Sequence, residues 1–331
     1  MTRQFTPPEA VDRYMTERGP DLSDSSRYNI KSALKQFVAF CAEEGVEEID
    51  DIDAFLLSDY RLKRSEEVSE NTVYNNLTAL RKFISWCEGR NLIDDSLSEN
   101  MIIPTDRDTS RDTTLAPERV EDILAYLQTY EYASQRHALF ALLWDTGIRI
   151  GAARSLNVGS VNENGGYIEL EHKPDEDRPL KNGTKSERQV NLSPTVMEVV
   201  TDYIEARRID QTDDFGNEPL FSSKHGRKHR TTLRKAIVKM TRPCALDQGC
   251  PHDREIDECE ATGHSYAARC PSSVSPHPIR RSSITYWLNE GHPKELLSDR
   301  MDVSTTVLEE HYDSRSEEQK RELRREMLEI E

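Results

Sequence analysis

The chain has 331 residues, 61 acids against 44 bases, a net charge of −17 at pH 7 and six cysteines; its mean hydropathy is −0.76. No window approaches eighteen apolar residues, the start MTRQFTPPEAVDRY has no apolar stretch, and the cysteines are too few for a secreted disulfide scaffold. These features exclude a membrane span and a signal peptide, and they predict a soluble, cytoplasmic chain of about two domains.

In chain order, residues 8 to about 100 read as helical. Pro7 and Pro8 precede an acidic first turn, and Tyr28, Ile30, Leu34, Phe37, Val38 and Cys41 recur at helical spacing. A second stripe holds Val73, Leu77, Leu80, Phe83, Ile84 and Cys87, with Ser69 placed as its N-cap. Four helices near 8–18, 24–45, 51–64 and 70–90 would form a small bundle, with Cys41 and Cys87 in its core. Residues 101–115, MIIPTDRDTSRDTTL, are polar and aperiodic and predict a linker. Helices near 116–130 and 133–146 follow, the first opened by Ala116-Pro117-Glu118. Tyr167–Leu170 and Arg188–Leu192 flank a polar stretch and predict a β-hairpin with a charged tip. From Ser193 almost to the end the spacing is again helical, interrupted by a cysteine-bearing segment.

Four short motifs stand out in order. Thr146-Gly147-Ile148-Arg149 follows an apolar helix; Lys181 and Lys185 lie on the hairpin; Ser275-Pro276-His277-Pro278-Ile279-Arg280 opens a helix; His311-Tyr312-Asp313 lies near the C-terminus. Each is weak alone. In this order and at this spacing they are similar to the tyrosine recombinase, or phage-type integrase, family, and the likeness covers nearly the whole chain. It implies a mainly α fold: an N-terminal, SAM-like core-binding helical bundle over residues 1–100, a linker at 101–115, and a catalytic domain over 116–331. That domain would be mixed α-helical with a small antiparallel β-sheet, the DNA breaking-rejoining fold.

The resemblance also implies the chemistry. Tyr312 would attack a DNA phosphorus and form a 3′-phosphotyrosyl intermediate, without metal or ATP. Arg149 and Arg280 would clamp the non-bridging oxygens, for which a planar guanidinium fork is suited. His277, three residues before Arg280 and so on the same helix face, would bond a phosphate oxygen or assist proton transfer. A hairpin lysine, Lys181 or alternatively Lys185, would protonate the leaving 5′ oxygen. Two positions depart from the family pattern: Ala152 stands where an acid is usual, and Arg300 where a His or Trp is usual. Arg300 could still donate to a phosphate oxygen.

The partners implied are double-stranded DNA and further copies of the chain, as a tetramer on DNA. A non-catalytic DNA-binding regulator derived from an integrase is the alternative. The basic run Lys224-His225-Gly226-Arg227-Lys228-His229-Arg230, continued by Thr231, Arg234, Lys235 and Lys239, reads as a phosphate-contacting surface, and Arg61-Leu62-Lys63-Arg64 as a smaller one. The overall acidity does not exclude this. With 31 Arg and only 13 Lys, the composition resembles that of archaeal, salt-loving organisms, and at ~1 M salt the Debye length of ~3 Å screens distant carboxylates from a binding face.

Four cysteines, Cys244, Cys250, Cys259 and Cys270, fall in a polar insertion at 244–270 that also holds His252 and His264. They predict a structural zinc site, although the spacing lacks a C-x2-C knuckle. Ser316 and Gln319 fit a capping box, and Leu323, Met327 and Ile330 an apolar stripe on a charged tail helix.

Overall fold

The structure is a computed structural model that describes residues 4–104, 114–263 and 265–312, together with Glu317, Glu318, Arg321 and Arg325. Most of the expected linker, His264, Asp313 and the expected capping box and apolar stripe of the tail lie outside the described residues. Two compact units divide the chain, Met1–Arg111 and Asp112–Glu331.

The first unit is a helical bundle of α1 (Pro7–Arg18), α2 (Asp24–Glu43), α3 (Ala54–Glu67) and α4 (Glu70–Glu88), with a short α5 (Leu97–Asn100). Local chemistry sets the helix starts. Glu9 accepts from the Thr6 amide at 3.0 Å, closing a capping box around two prolines. Asp53 accepts from the Leu56 amide at 2.8 Å, so α3 begins at Ala54, and residues 49–51 form a 3-10 turn rather than the expected first turn of the helix. Leu34, Phe37, Leu77, Leu80, Phe83 and Ile84 are fully buried, and Cys41 and Cys87 join them. Burial pushes both thiols up to about 12, so they are inert core groups. Tyr14 meets Phe83 edge-on at 5.5 Å, and Phe37 meets Tyr60 at 5.1 Å. Truncating Phe83 to Ala is expected to cost about 3–5 kcal/mol, read as a lower melting temperature of the isolated residues 1–104 against the wild-type fragment.

The second unit is built around α7 (Gln135–Thr146), in which Ala138 to Leu143 are all buried. A helix apolar on every side is a central one. It packs on α6 (Pro117–Tyr130), α9 (Pro194–Ala206), α10 (Arg230–Met240) and α11 (Pro276–Asn289). Between α8 (Ile150–Ser155) and α9 lies a three-stranded antiparallel sheet, β1 (Val161–Asn162), β2 (Tyr167–Leu170) and β3 (Arg188–Asn191), in the order β1-β2-β3. Its register pairs Tyr167 with Asn191 and Leu170 with Arg188. Ile168 and Leu170 alternate inward while Glu169 faces out. After α11 come α12 (Lys294–Met301) and α13 (Thr305–His311). These two helices share a small apolar cluster of Ile284, Leu288, Leu297, Met301, Val303 and Leu308, against which Trp287 and Tyr312 pack.

One stretch departs from the expected helical spacing. Residues 207–229 carry a tight two-stranded hairpin, β4 (Ser222–Ser223) and β5 (Gly226–Arg227), turning at Lys224-His225. Gly226 is required there: its φ is +84°, and a Cβ would meet the Thr212 carbonyl oxygen at 2.9 Å. The basic run that reads as one positive patch is thereby split. Arg227 turns inward, 4% exposed, to Asp213 at 2.9 Å and the Leu156 carbonyl at 3.1 Å. Lys228 bonds Gln135 and is desolvated, which lowers its pKa. Lys224, His225, Arg230, Arg234 and Lys235 stay exposed. In the first unit, Arg64 is buried beside Glu67 and Lys63 pairs with Glu43.

The cysteine segment is a chain of 3-10 turns, Pro243–Leu246, Glu260–Thr262 and Ala267–Arg269. Few side chains anchor it: Leu246, Ala261, Ala267, Cys270 and Val274 are buried. Arg119 reaches it from α6 with a 2.6 Å bond to the Ser272 carbonyl.

Candidate active site

Arg149 is the N-cap of α8 and follows Gly147, the left-handed C-cap of α7 at φ +60°. The glycine has two reasons to be there. Its φ is unfavourable for any side chain, and a Cβ would press on Met301 at 3.0 Å. The tight turn lets the Gly147 carbonyl accept from Arg280 Nη1 at 2.7 Å. Arg280, on the second turn of α11, is 5% exposed and gives its Nη2 to the Asp302 carbonyl at 3.3 Å. Burial, followed by the nearby Arg149 charge, pulls its pKa down to about 10, while Tyr312 and Asp302 oppose the shift. It remains cationic at neutral pH.

His277 lies one turn earlier on α11, with an exposed ring. Desolvation, then the charges of Arg280, Arg281 and Arg149, hold its pKa below the ordinary imidazole value of 6.5. It is therefore mostly neutral at pH 7 and able to accept a proton. Tyr312 caps α13 and packs on the α11–α13 cluster, with the Arg281 guanidinium 5.7 Å from its ring centre. Arg149, His277 and Tyr312 thus all lie within electrostatic reach of Arg280, although 163 positions separate the first from the last.

Asp302 links this group to the hairpin. Its carboxylate accepts from Arg149, from Asn182 Nδ2 at 2.9 Å and from Ser186 Oγ at 2.8 Å. Ala152 leaves Arg149 without an acid on its own helix; the acid beside it is Asp302. The connection between β2 and β3 is held further by Arg178, 4% exposed, which bonds Glu171 and the Ser155 carbonyl, and by His172 Nδ1, which accepts from the Leu180 amide at 3.0 Å. Lys181 precedes Asn182 and Lys185 precedes Ser186, so both lysines flank residues fixed on Asp302, and both are exposed. Arg188, at the start of β3, adds a further cation. It bonds the Arg300 carbonyl at 2.9 Å, and its burial lowers its pKa.

Arg300 lies within electrostatic reach of Arg188 and bonds main-chain carbonyls. Its guanidinium donates to the Asn191 carbonyl at 2.8 Å and the Asp145 carbonyl at 3.0 Å, beside the Asp145 carboxylate at 3.6 Å. It braces α12 against α7 and β3. Burial raises the Asp145 pKa, partly offset by Arg300 and the Ser193 amide.

Asp302 and Arg188 are absent from the sequence reading of the site. Asp302 left a faint signal, an acid directly after a helix end, where a carboxylate opposes the helix dipole. Arg188 left none that distinguishes it from an ordinary strand residue.

The four cysteines of the insertion are free thiols. Among the described residues no three His, Cys, Asp or Glu side chains are grouped to hold a metal. His252 is engaged by Ser272 Oγ at 2.8 Å. No helix among the described residues is long and apolar enough to cross a membrane.

Residues 113–313 match the phage integrase family. Tyrosine recombinase XerD of Staphylococcus epidermidis is 26% identical over 199 residues, covering 58% of this chain and 56% of that protein; the chain spans about half the length of the curated relatives it matches. Among solved structures, the Tn1549 transposon integrase in complex with a circular intermediate DNA superposes with a TM-score of 0.71 at 16% identity, over 98% of this chain and 99% of that one. A lambda integrase dimer bound to a core site gives 0.65 at 12% identity, over 96% and 79%. At these identities the structural likeness speaks to the fold.

Proposed function

Because the chain belongs to the phage integrase family, we propose that it is a site-specific DNA recombinase that cuts and rejoins double-stranded DNA through Tyr312. The observation that supports this reading is the setting of Arg280, which bonds the Gly147 and Asp302 carbonyls and has Arg149, His277 and Tyr312, from three separate segments, within electrostatic reach. The Tyr312 oxygen attacks phosphorus; its proton passes to neutral His277; the P–O5′ bond breaks as the Tyr–phosphate bond forms. Charge on the equatorial oxygens is met by Arg149 and Arg280. Lys181, or Lys185, protonates the departing 5′ oxygen, and the reverse sequence reseals the strand. Each role falls to a side chain, so the reaction is expected to run without cofactor. Arg300 braces α12 through the Asn191 and Asp145 carbonyls and, like Arg280, keeps further N–H donors that phosphate could take.

Relaxation of a supercoiled plasmid tests the proposal without knowledge of the target sequence. Wild-type protein is expected to relax it in EDTA, at low salt and at about 1 M salt. If it binds DNA but neither relaxes it nor attaches to it, even on DNA flanking its own gene, the chain is a DNA-binding regulator.

The exposed cations of α10 and the β4–β5 turn, Lys224, Arg230, Arg234 and Lys235, support DNA contact. Replacing Arg234 and Lys235 by Glu is expected to weaken plasmid binding at least tenfold and to reduce the salt slope of log affinity by about 2. An unchanged slope places the interface elsewhere. The helical first unit would serve as a core-binding DNA domain, and the active form would be a tetramer on DNA.

A structural zinc at Cys244, Cys250, Cys259 and Cys270 completes the proposal. It is supported by four of six cysteines falling in one segment with little buried apolar surface. Since the thiols are not grouped, zinc would have to draw them together, coupling binding to local folding. Elemental analysis is expected to give about one zinc per chain. Metal-free protein with an unchanged melting temperature would rule it out.

A further inference from the structure

Position 302 is an unfavourable place for an aspartate. It caps α12 at φ 52°, ψ 60°, the left-handed conformation in which glycine is the usual residue, and its amide closes the helix on Asp299 and Ser298. A carboxylate there also faces the negative end of the helix dipole. Two local preferences are overridden, and the side chain explains why. Sixteen per cent exposed, it accepts from three donors on two distant segments: Arg149 at the start of α8, and Asn182 and Ser186 in the β2–β3 connection. Its own carbonyl takes Arg280. Three residues further on begins α13, which ends at Tyr312.

We propose that Asp302 is a positioning residue for strand cleavage. Resting on the recombinase reading, its carboxylate fixes the Arg149 guanidinium and pins the loop bearing Lys181 and Lys185 to the turn that leads to Tyr312. One side chain sets the spacing between the phosphate clamp, the leaving-group lysine and the nucleophile's helix. Asp302 also places one negative charge among Arg149, Arg280 and Arg188, lowering the repulsion these cations would exert on each other before phosphate arrives. It contacts no reacting atom in this scheme and acts through Arg149 and the loop.

The test is the single-turnover rate of covalent attachment to supercoiled plasmid, trapped with detergent, for wild type and Asp302→Asn. Asparagine is at ease in the left-handed conformation and keeps one acceptor, so the helix cap is retained while the charge is lost. The rate constant, unlike the amplitude, is not lowered by a smaller folded fraction. The expected result is a rate constant about 10- to 100-fold lower, plasmid affinity within a few-fold of wild type, and partial recovery in Asp302→Glu. An unchanged rate constant overturns the proposal. So does a faster one, which would make the carboxylate a stand-in for phosphate that DNA has to displace. Should Asp302→Asn fail to fold, the double variant Asn182→Ala/Ser186→Ala leaves the Arg149 pair intact and frees only the loop; about tenfold slower attachment supports the proposal, and no change overturns it. Wild type that never attaches to DNA contradicts the recombinase reading instead, so the two failures are distinguishable.

Discussion

Arg280→Ala is expected to abolish plasmid relaxation, lowering the cleavage rate by at least 10²–10³-fold. The size follows from its setting. The side chain is almost fully enclosed, and its two terminal nitrogens hold the Gly147 and Asp302 carbonyls, the turns on which Arg149 and the path to Tyr312 are built. Alanine removes the proposed phosphate donor and leaves two carbonyls short of a partner, at about 1–3 kcal/mol each. A melting temperature several degrees lower is expected alongside the lost activity. Arg280→Lys separates the two effects. It keeps the charge but not the planar fork, so it should recover more stability than rate. Full activity in either variant would remove Arg280 from the clamp.

Tyr312→Phe is expected to lose all covalent attachment to DNA while keeping affinity within a few-fold of wild type. The ring's packing against the α11–α13 cluster and its place beside Arg281 do not need the hydroxyl, so the variant should fold as the wild type does. The chemistry does need it, because no other atom in the scheme forms the bond to phosphorus. Gel-resolved protein–DNA adduct, measured at equal bound fraction, reads this directly. Persistent adduct in the variant means that the nucleophile is another group.

The helical bundle was legible because each helix carries its own apolar stripe and its own start signal. Ser69 takes the N-cap position and bonds the Thr72 hydroxyl at 3.0 Å, as the spacing suggests. The α3 boundary moved from 51 to 54 because Asp53 outcompetes the earlier acids as a cap. Two-residue strands escaped notice: Val161–Asn162 is too short for alternation to register. The β4–β5 hairpin was hidden differently. Its sequence reads as a run of positive charge, and nothing local shows that Arg227 folds inward onto Asp213, fourteen residues upstream.

In the candidate site, the residues singled out from sequence are those that sit in short motifs. Gly147 and Arg149 share one turn, and His277 and Arg280 share one helix face. Asp302 could not be found that way, since its partners lie 116 to 153 residues away. The direction of the Arg300 side chain was equally invisible. An arginine in the last turn of a short helix can point to solvent, to phosphate or inward, and only the Asn191 and Asp145 carbonyls decide it. The choice between Lys181 and Lys185 also depends on contacts with DNA, for both lie next to a residue bonded to Asp302.

The central claim, that Tyr312 carries the DNA during strand exchange, is tested most directly by mass spectrometry of the trapped adduct. Detergent-stopped protein on supercoiled plasmid, digested with nuclease and trypsin, should yield one nucleotide-bearing peptide. Cleavage after Arg300 and Arg315 places it at residues 301–315, MDVSTTVLEEHYDSR. The account predicts the added mass on Tyr312, in EDTA as well as without it. The same mass on any other residue, or plasmid relaxation with no nucleotide on this peptide, would contradict it.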